Sequence, residues 1–142
     1  MSSWLTGRLW LAASVVQASA AAVAQQPPTA QVQAQAVAAA QAAASAQLQR
    51  EVKLAVESAR VIGPWAFVSA QLRSAQGQAF DFAGTRWEDA ARHGAASHRY
   101  VALLKLDQGS WQKVDERVGP TDVAWEAWAE KYGAPAALFE LP

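Results

Sequence analysis

The 142-residue chain contains no cysteine, one methionine and two histidines, and only 17% of its residues are charged. Without cysteine there is no disulfide, no thiolate metal site, no cysteine nucleophile and no lipid-bearing cysteine behind a cleaved leader. This leaves the compartment open, because exported proteins can do without the residue. Nor does either sign of charge prevail: 12 Lys and Arg stand against 12 Asp and Glu. That balance gives no electrostatic reason to expect nucleic acid or an anionic membrane as partner. A long apolar run is also missing. Leu9–Val16 (LWLAASVV) is too short to cross about 30 Å of hydrocarbon, so no stable span is expected.

What that run does fit is an export signal. Met1–Arg8 is a short segment with one positive side chain, and Ala22-Val23-Ala24 has the small-x-small pattern of a signal-peptidase site. Cleavage after Ala24 makes residues 1–24 a signal peptide and Gln25 the new start. Losing Arg8 leaves eleven basic against twelve acidic residues, a net charge of −1. The expected location is periplasmic or secreted.

Residues 25–50 are low in complexity, built mostly of alanine and glutamine after Pro27-Pro28. Both are strong helix formers. The prolines favour an extended lead, Thr29 a cap, and helix is expected from about Ala30 to Arg50. Val32, Val37 and Leu48 do not sustain a heptad, so the segment reads as a solvated helical spacer docked through Leu48. The core is then expected from residues 51–142.

There the pattern changes to period two. Val52, Leu54 and Val56 alternate with Lys53 and Glu57, which argues for a strand. A helical face through Leu48, Val52, Ala55 and Ala59 can also be drawn, but β-branched residues favour the strand. The alternation slips between Ser58 and Val61, which suggests a bulge, and Gly63-Pro64 makes a turn. In Trp65–Arg73, Ala66, Val68, Ala70 and Leu72 take one face and Trp65, Phe67, Ser69 and Gln71 the other. Large residues on both faces mark a central strand. Ser74–Gln78 is a loop, and Phe80-Asp81-Phe82 fits either a short strand or an extended lead into a helix. Thr85–Glu88 has the capping-box pattern for a short helix stopped by Gly94. Tyr100–Leu106 and Trp111–Val118 flank Asp107-Gln108-Gly109-Ser110 as a hairpin. Past Gly119-Pro120, Trp125, Trp128, Ala129 and Tyr132 fall at i, i+3, i+4 and i+7 of a last helix, with Leu138, Phe139 and Leu141 folding back after it. The expected fold is α+β: an N-terminal Ala/Gln-rich helix, a curved four-stranded antiparallel sheet, a short helix and an aromatic-faced C-terminal helix.

Three stretches carry a resemblance: RVIGPWAFV (Arg60–Val68), YVALLKLDQGSWQKV (Tyr100–Val114) and VGPTDVAWEAWAEKYGAP (Val118–Pro135), with Leu138-Phe139 after them. They resemble an uncharacterised family of small exported bacterial proteins, and the chain departs from it at Pro64, where the family carries an acidic residue. The resemblance covers about residues 52–139. It implies a plan similar to cystatin-like and nuclear-transport-factor-like folds, and brings no activity, cofactor or catalytic residue.

No catalytic motif stands out. Asp89 and His93 have the i, i+4 spacing of paired metal ligands, with Glu88 and His98 nearby, but one such pair is weak. His93 also suits a helix C-terminus as a cation, so no metal or other cofactor is expected. Ser69, Ser74, Ser97 and Ser110 lack a nucleophile elbow, and Asp115 and Glu116 point to opposite faces of a strand. Asp81, between two phenylalanines, is the candidate for a buried acid, against the plainer reading of a loop carboxylate. Five tryptophans lie beyond the leader; most belong to a core, and Trp65 and Trp87 are the candidates for exposed rings in a ligand site. The leading expectation is a non-catalytic module for an unknown envelope ligand or protein, with Trp65, Trp87 and Asp81 as binding residues. The alternative is a pocket protein or enzyme of the nuclear-transport-factor-like kind using a buried acid. Self-association through the Ala/Gln helix is a third.

Overall fold

The computed structural model describes residues 28–140. The expected signal peptide, its cleavage site and Leu141 lie outside the described residues. Within them the fold is α+β, with a four-stranded antiparallel sheet ordered β1-β2-β3-β4. The strands are β1 (Val52–Ile62), β2 (Trp65–Ser74), β3 (Arg99–Asp107) and β4 (Ser110–Val118). Two-residue turns close the outer hairpins. Ile62 pairs with Trp65 across Gly63-Pro64, and Asp107 with Ser110 across Gln108-Gly109. Gln108 and Gly109 both have positive φ (52° and 81°), the pair of values a type I′ turn needs and glycine adopts without steric cost. Val52–Ala59 is thus strand rather than helix. The β1 bulge falls between Val56 and Ser58, just ahead of the expected place, and leaves Glu57 outside the ladder. A second bulge, absent from the sequence reading, inserts Val114 into β4 opposite Leu103 and Leu104.

β2 is central and buried on both faces from Trp65 to Ala70. Alternation divides the sheet into two apolar surfaces. On one, Ala66, Val68, Leu72, Tyr100, Ala102 and Leu104 meet α1 (Pro28–Leu48). On the other, Phe67, Val101 and Leu103 meet the C-terminal segment. These are called the helix face and the tail face below.

The Ala/Gln segment is not a solvated spacer. Ala36, Ala40 and Ala44 are fully buried and Leu48 nearly so, in one cluster with the helix face. Small side chains on the helix, clustered with Ala66 and Ala102 of the sheet, let the two backbones approach without large knobs between them. Its glutamines have a second use. As an edge strand, β1 presents backbone groups with no strand partner. Gln33 Nε2 donates to the Ala59 carbonyl (2.8 Å), Gln41 Oε1 accepts from the Leu54 N–H (3.1 Å) and Ser45 Oγ accepts from the Val52 N–H (3.1 Å). The helix begins at Pro28, so Thr29 lies in its first turn, not at the cap. Proline suits the first helical position, where an N–H has no intrahelical partner. At the other end Gln49 turns left-handed (φ 54°), and the Arg50 N–H reaches back to the Ser45 carbonyl (3.2 Å), a Schellman closure that turns the chain into β1.

The loop after β2 is held by Phe80 and Phe82, both buried and packed edge to face at 5.1 Å. Arg50 ties it down through the Asp81 and Ala83 carbonyls (3.1 and 2.8 Å). The helix that follows, α2 (Glu88–Arg92), has no side-chain cap. The capping box does not form: Thr85 Oγ1 donates to the Phe82 carbonyl (2.7 Å) and Glu88 pairs with Arg92 (3.3 Å).

The tail face carries the aromatic cluster. Phe67 is its hub, with ring centroids 5.8 Å from Trp125, 6.3 Å from Trp128 and 4.9 Å from Phe139. The last α-helix, α3, spans only Trp128–Tyr132. The turns before it close by i→i+3 bonds, Glu126 N–H to Val123 and Trp128 N–H to Trp125 (both 3.0 Å), so the regular helix starts later than its aromatic spacing predicts. A 3-10 turn, Ala136–Phe139, completes the cover. Arg60 fastens it by donating to the Ala137 carbonyl (3.0 Å).

Candidate functional site

The residues singled out from the sequence do not converge. Trp65 lies in the tail-face cluster and Trp87 packs against the helix-face cluster. The sheet separates them. Trp65 is only 9% exposed, with the Lys105 ammonium 4.9 Å from its ring centre, so it is core and not an open platform. Trp87 is half-buried beneath the Arg86 guanidinium (4.5 Å). Asp81 is exposed, and its Oδ1 accepts the Ala83 N–H (2.9 Å). It is a turn-forming surface carboxylate, not a buried acid. His93 is exposed with Nδ1 bonded to the Asp89 carbonyl (2.8 Å), and His98 Nε2 donates to the Phe80 carbonyl (2.9 Å). Among the described residues no three His, Asp or Glu side chains gather as a metal site.

The concavity that stands out is elsewhere. The C-terminal segment covers the tail face only in part, and where it ends the sheet emerges as the floor of a groove of about 690 Å³. Gln71 of β2 and Arg99 of β3, directly paired across the ladder, form the floor. Val123, Trp125 and Phe139 form an apolar wall, and Ser97, Thr121 and Asp122 the polar rim. Val123 is 55% exposed, an unusual position for a branched apolar side chain on a rim.

The loop geometry that shapes this groove follows from a short bond network. Ser97 Oγ donates to the Pro120 carbonyl (2.6 Å) and accepts the Arg99 N–H (3.2 Å). The Ser97 N–H donates to the Gly119 carbonyl (3.1 Å) and the Gly119 N–H to that of Arg99 (2.8 Å). Gly119 sits at φ 68°, and a Cβ there would lie 3.1 Å from the Ser97 carbonyl oxygen. Only glycine fits both the dihedral and the space. On the floor, Glu57 at the β1 bulge takes both neighbours at once: Oε1 accepts from Gln71 Nε2 (2.8 Å) and Oε2 from Arg99 Nη2 (3.4 Å). The bulge therefore supplies the carboxylate that orients the floor.

Two further acids are drawn into the sheet, one per face, as strand alternation requires. Glu116 is buried on the helix face, where the Tyr100 hydroxyl donates to Oε2 and Lys113 Nζ to Oε1 (3.1 Å). Burial, reinforced by the adjacent Glu116 carboxylate, pushes the Tyr100 phenol well above its ordinary range. Asp115 lies on the tail face. Partial burial works to raise its pKa, but hydrogen bonds from the Tyr132 hydroxyl (2.5 Å), the Glu116 N–H (2.8 Å) and Arg117 Nη1 (2.6 Å) outweigh it and hold the carboxyl below the usual range. The sequence places Glu116 on the covered face but does not announce its partners, which come from β3 and from across the bulge. Neither acid lines the groove or the three smaller concavities.

Chemically, the groove offers an amide, a guanidinium, two hydroxyls, a carboxylate and an apolar wall at the surface. That set can hold a ligand by hydrogen bonds and apolar contact. Comparison of the chain with protein-family models, with curated proteins and with solved structures found no match.

Proposed function

We propose that this protein is a non-catalytic binding module of the bacterial envelope, exported to the periplasm or secreted, and that it holds a peptide segment of a partner protein in the tail-face groove. The observation that carries the reading is the groove itself. Its volume lies within the range of about 300–1,000 Å³ usual for ligand sites, while alanines and aromatics fill the space between the sheet and its covers. Its openness along the surface suits an extended chain. An acyl chain would need an enclosed apolar tunnel to bury most of its length. Export rests on the leader pattern of residues 1–24, and a small envelope module agrees with the family resemblance above. No helix among the described residues is long and apolar enough to cross a membrane.

Chemical-shift mapping tests the site. The isotopically labelled chain is titrated with a random peptide pool, and the expected perturbations cluster at Gln71, Ser97, Arg99 and Val123. They should vanish in Val123→Glu. Perturbations confined to another face overturn the assignment. For export, N-terminal sequencing of the chain recovered from a bacterial periplasm should begin at Gln25. A chain retained in the cytosol with Met1 intact overturns it.

A further inference from the structure

Resting on that reading of the groove, we infer that its ligand is an acidic peptide, in which a carboxylate adjoins a bulky apolar side chain. The argument is one of unanswered charge. The open end of the tail face carries three cations in two neighbouring rows. Lys53 and Arg73 are direct cross-strand partners in β1 and β2, and Arg99 lies in the adjoining row beside Gln71. Directly opposed side chains have Cβ atoms about 5 Å apart, and like charges there destabilise the pair. Neither Lys53 nor Arg73 has a carboxylate within ion-pair distance among the described residues, whereas Glu57 is already bonded to Gln71 and Arg99. The groove's own carboxylate, Asp122, next in sequence to Val123 of the apolar wall, makes no ion pair with Arg99.

A bound carboxylate over the Lys53–Arg73–Arg99 corner removes the repulsion and accepts charge-assisted hydrogen bonds. The apolar neighbour in the ligand then falls against Val123, Trp125 and Phe139, the wall of the groove whose floor holds Arg99, with Lys53 and Arg73 one row beyond that floor. A peptide supplies both groups on one short backbone, and Gln71 and Thr121 line the groove beside it. Arg99, only weakly held by Glu57 at 3.4 Å with about a third of its side chain exposed, is free to exchange partners.

The test is a selection of random displayed peptides on the full chain at low salt, with the Val123→Glu chain as counter-selection. Enriched sequences are expected to carry Asp or Glu beside Leu, Phe or Trp. A synthetic copy should bind about tenfold or more tightly than its Asn/Gln twin, the difference expected for a charge-assisted pair. That advantage should disappear in Arg73→Gln and Arg99→Gln and fade as salt rises. Should Arg99→Gln fail to fold, Lys53→Gln on an exposed side chain provides the same reading. Enrichment without acidic bias, still lost in Val123→Glu, overturns this inference and leaves the groove as the binding site. No enrichment over the counter-selected chain overturns both. Decanoate alone quenching tryptophan emission, with no peptide enriched, identifies a lipid-binding groove and overturns the peptide.

Discussion

Replacing Ala40 by leucine decides whether the Ala/Gln helix belongs to the core or merely precedes it. Ala40 is fully buried between α1 and the sheet, whereas Ala38, on the same helix, faces water. Leucine is nearly as good a helix former as alanine, differing by a few tenths of a kcal/mol, so the same substitution at the two sites changes propensity equally. Only packing differs. Three added carbons at Ala40 enter the buried cluster that also holds Ala66 and Ala102, and overpacking of that kind costs about 1–3 kcal/mol. At Ala38 the change stays within about 0.5 kcal/mol. For a domain near 100 residues this separates the two melting temperatures by about 4–20 °C. Thermal melts of the two variants, followed by circular dichroism, give the comparison directly. Equal melting points for Ala38→Leu and Ala40→Leu would refute the packing argument and return the helix to the role of a spacer.

Further outcomes follow from the buried polar groups and the groove. Tyr100→Phe leaves Glu116 Oε2 without its donor inside the sheet and should cost about 1–3 kcal/mol in urea melts; Glu116→Leu added to it should recover part of the loss, because the uncompensated charge is gone. Since the folded Tyr100 phenol is raised, its contribution is intact below the unfolded value of about 10 and is lost as pH climbs above it. Melts across that range should show a downward slope that Tyr100→Phe flattens. Asp115 works in the opposite direction: its depressed carboxyl stabilises the fold above about pH 3.9 and ceases to do so as pH falls below that, so Tyr132→Phe should weaken the acid-side dependence. Gly119→Ala combines a positive φ with a 3.1 Å approach to a backbone carbonyl, and should lower stability by about 1–3 kcal/mol while shifting the amide resonances of Ser97 and Arg99.

How much of this was legible depended on whether the signal was local. The Gln108-Gly109 hairpin, the Gly63-Pro64 turn and the central place of β2 are written in a few consecutive residues each, and the structure has them where the pattern predicts. The packing of α1 is not written in that way. Buried Ala36, Ala40 and Ala44 alternate around the helix with exposed Ala38, Ala42 and Ala46, so no apolar stripe tells inside from outside. Composition gave the helix, and only the sheet decides its face. The groove was still less accessible. Gln71, Arg99, Val123 and Phe139 come from four separate stretches, and none is marked by its neighbours. Trp65 and Trp87 drew notice for being tryptophan, yet alternation along β2 already put Trp65 on the face of Phe67, where the C-terminal aromatics close over it.

Three acids of the sheet are drawn into its structure. Glu116 is held by Tyr100 and Lys113, Asp115 by Tyr132 and Arg117, and Glu57 by Gln71 and Arg99. Each of these sheet carboxylates has its oxygens engaged in joining strands or fixing the C-terminal cover. Strand-borne cations are treated differently. Arg60 and Arg117 are tied into the tail cover, but among the described residues Lys53 and Arg73 face each other without an answering charge. Among the described residues, the sheet thus satisfies its buried acids and leaves an opposed pair of cations one row beyond the groove floor. On the binding role proposed above, what a ligand supplies there is negative charge next to apolar surface.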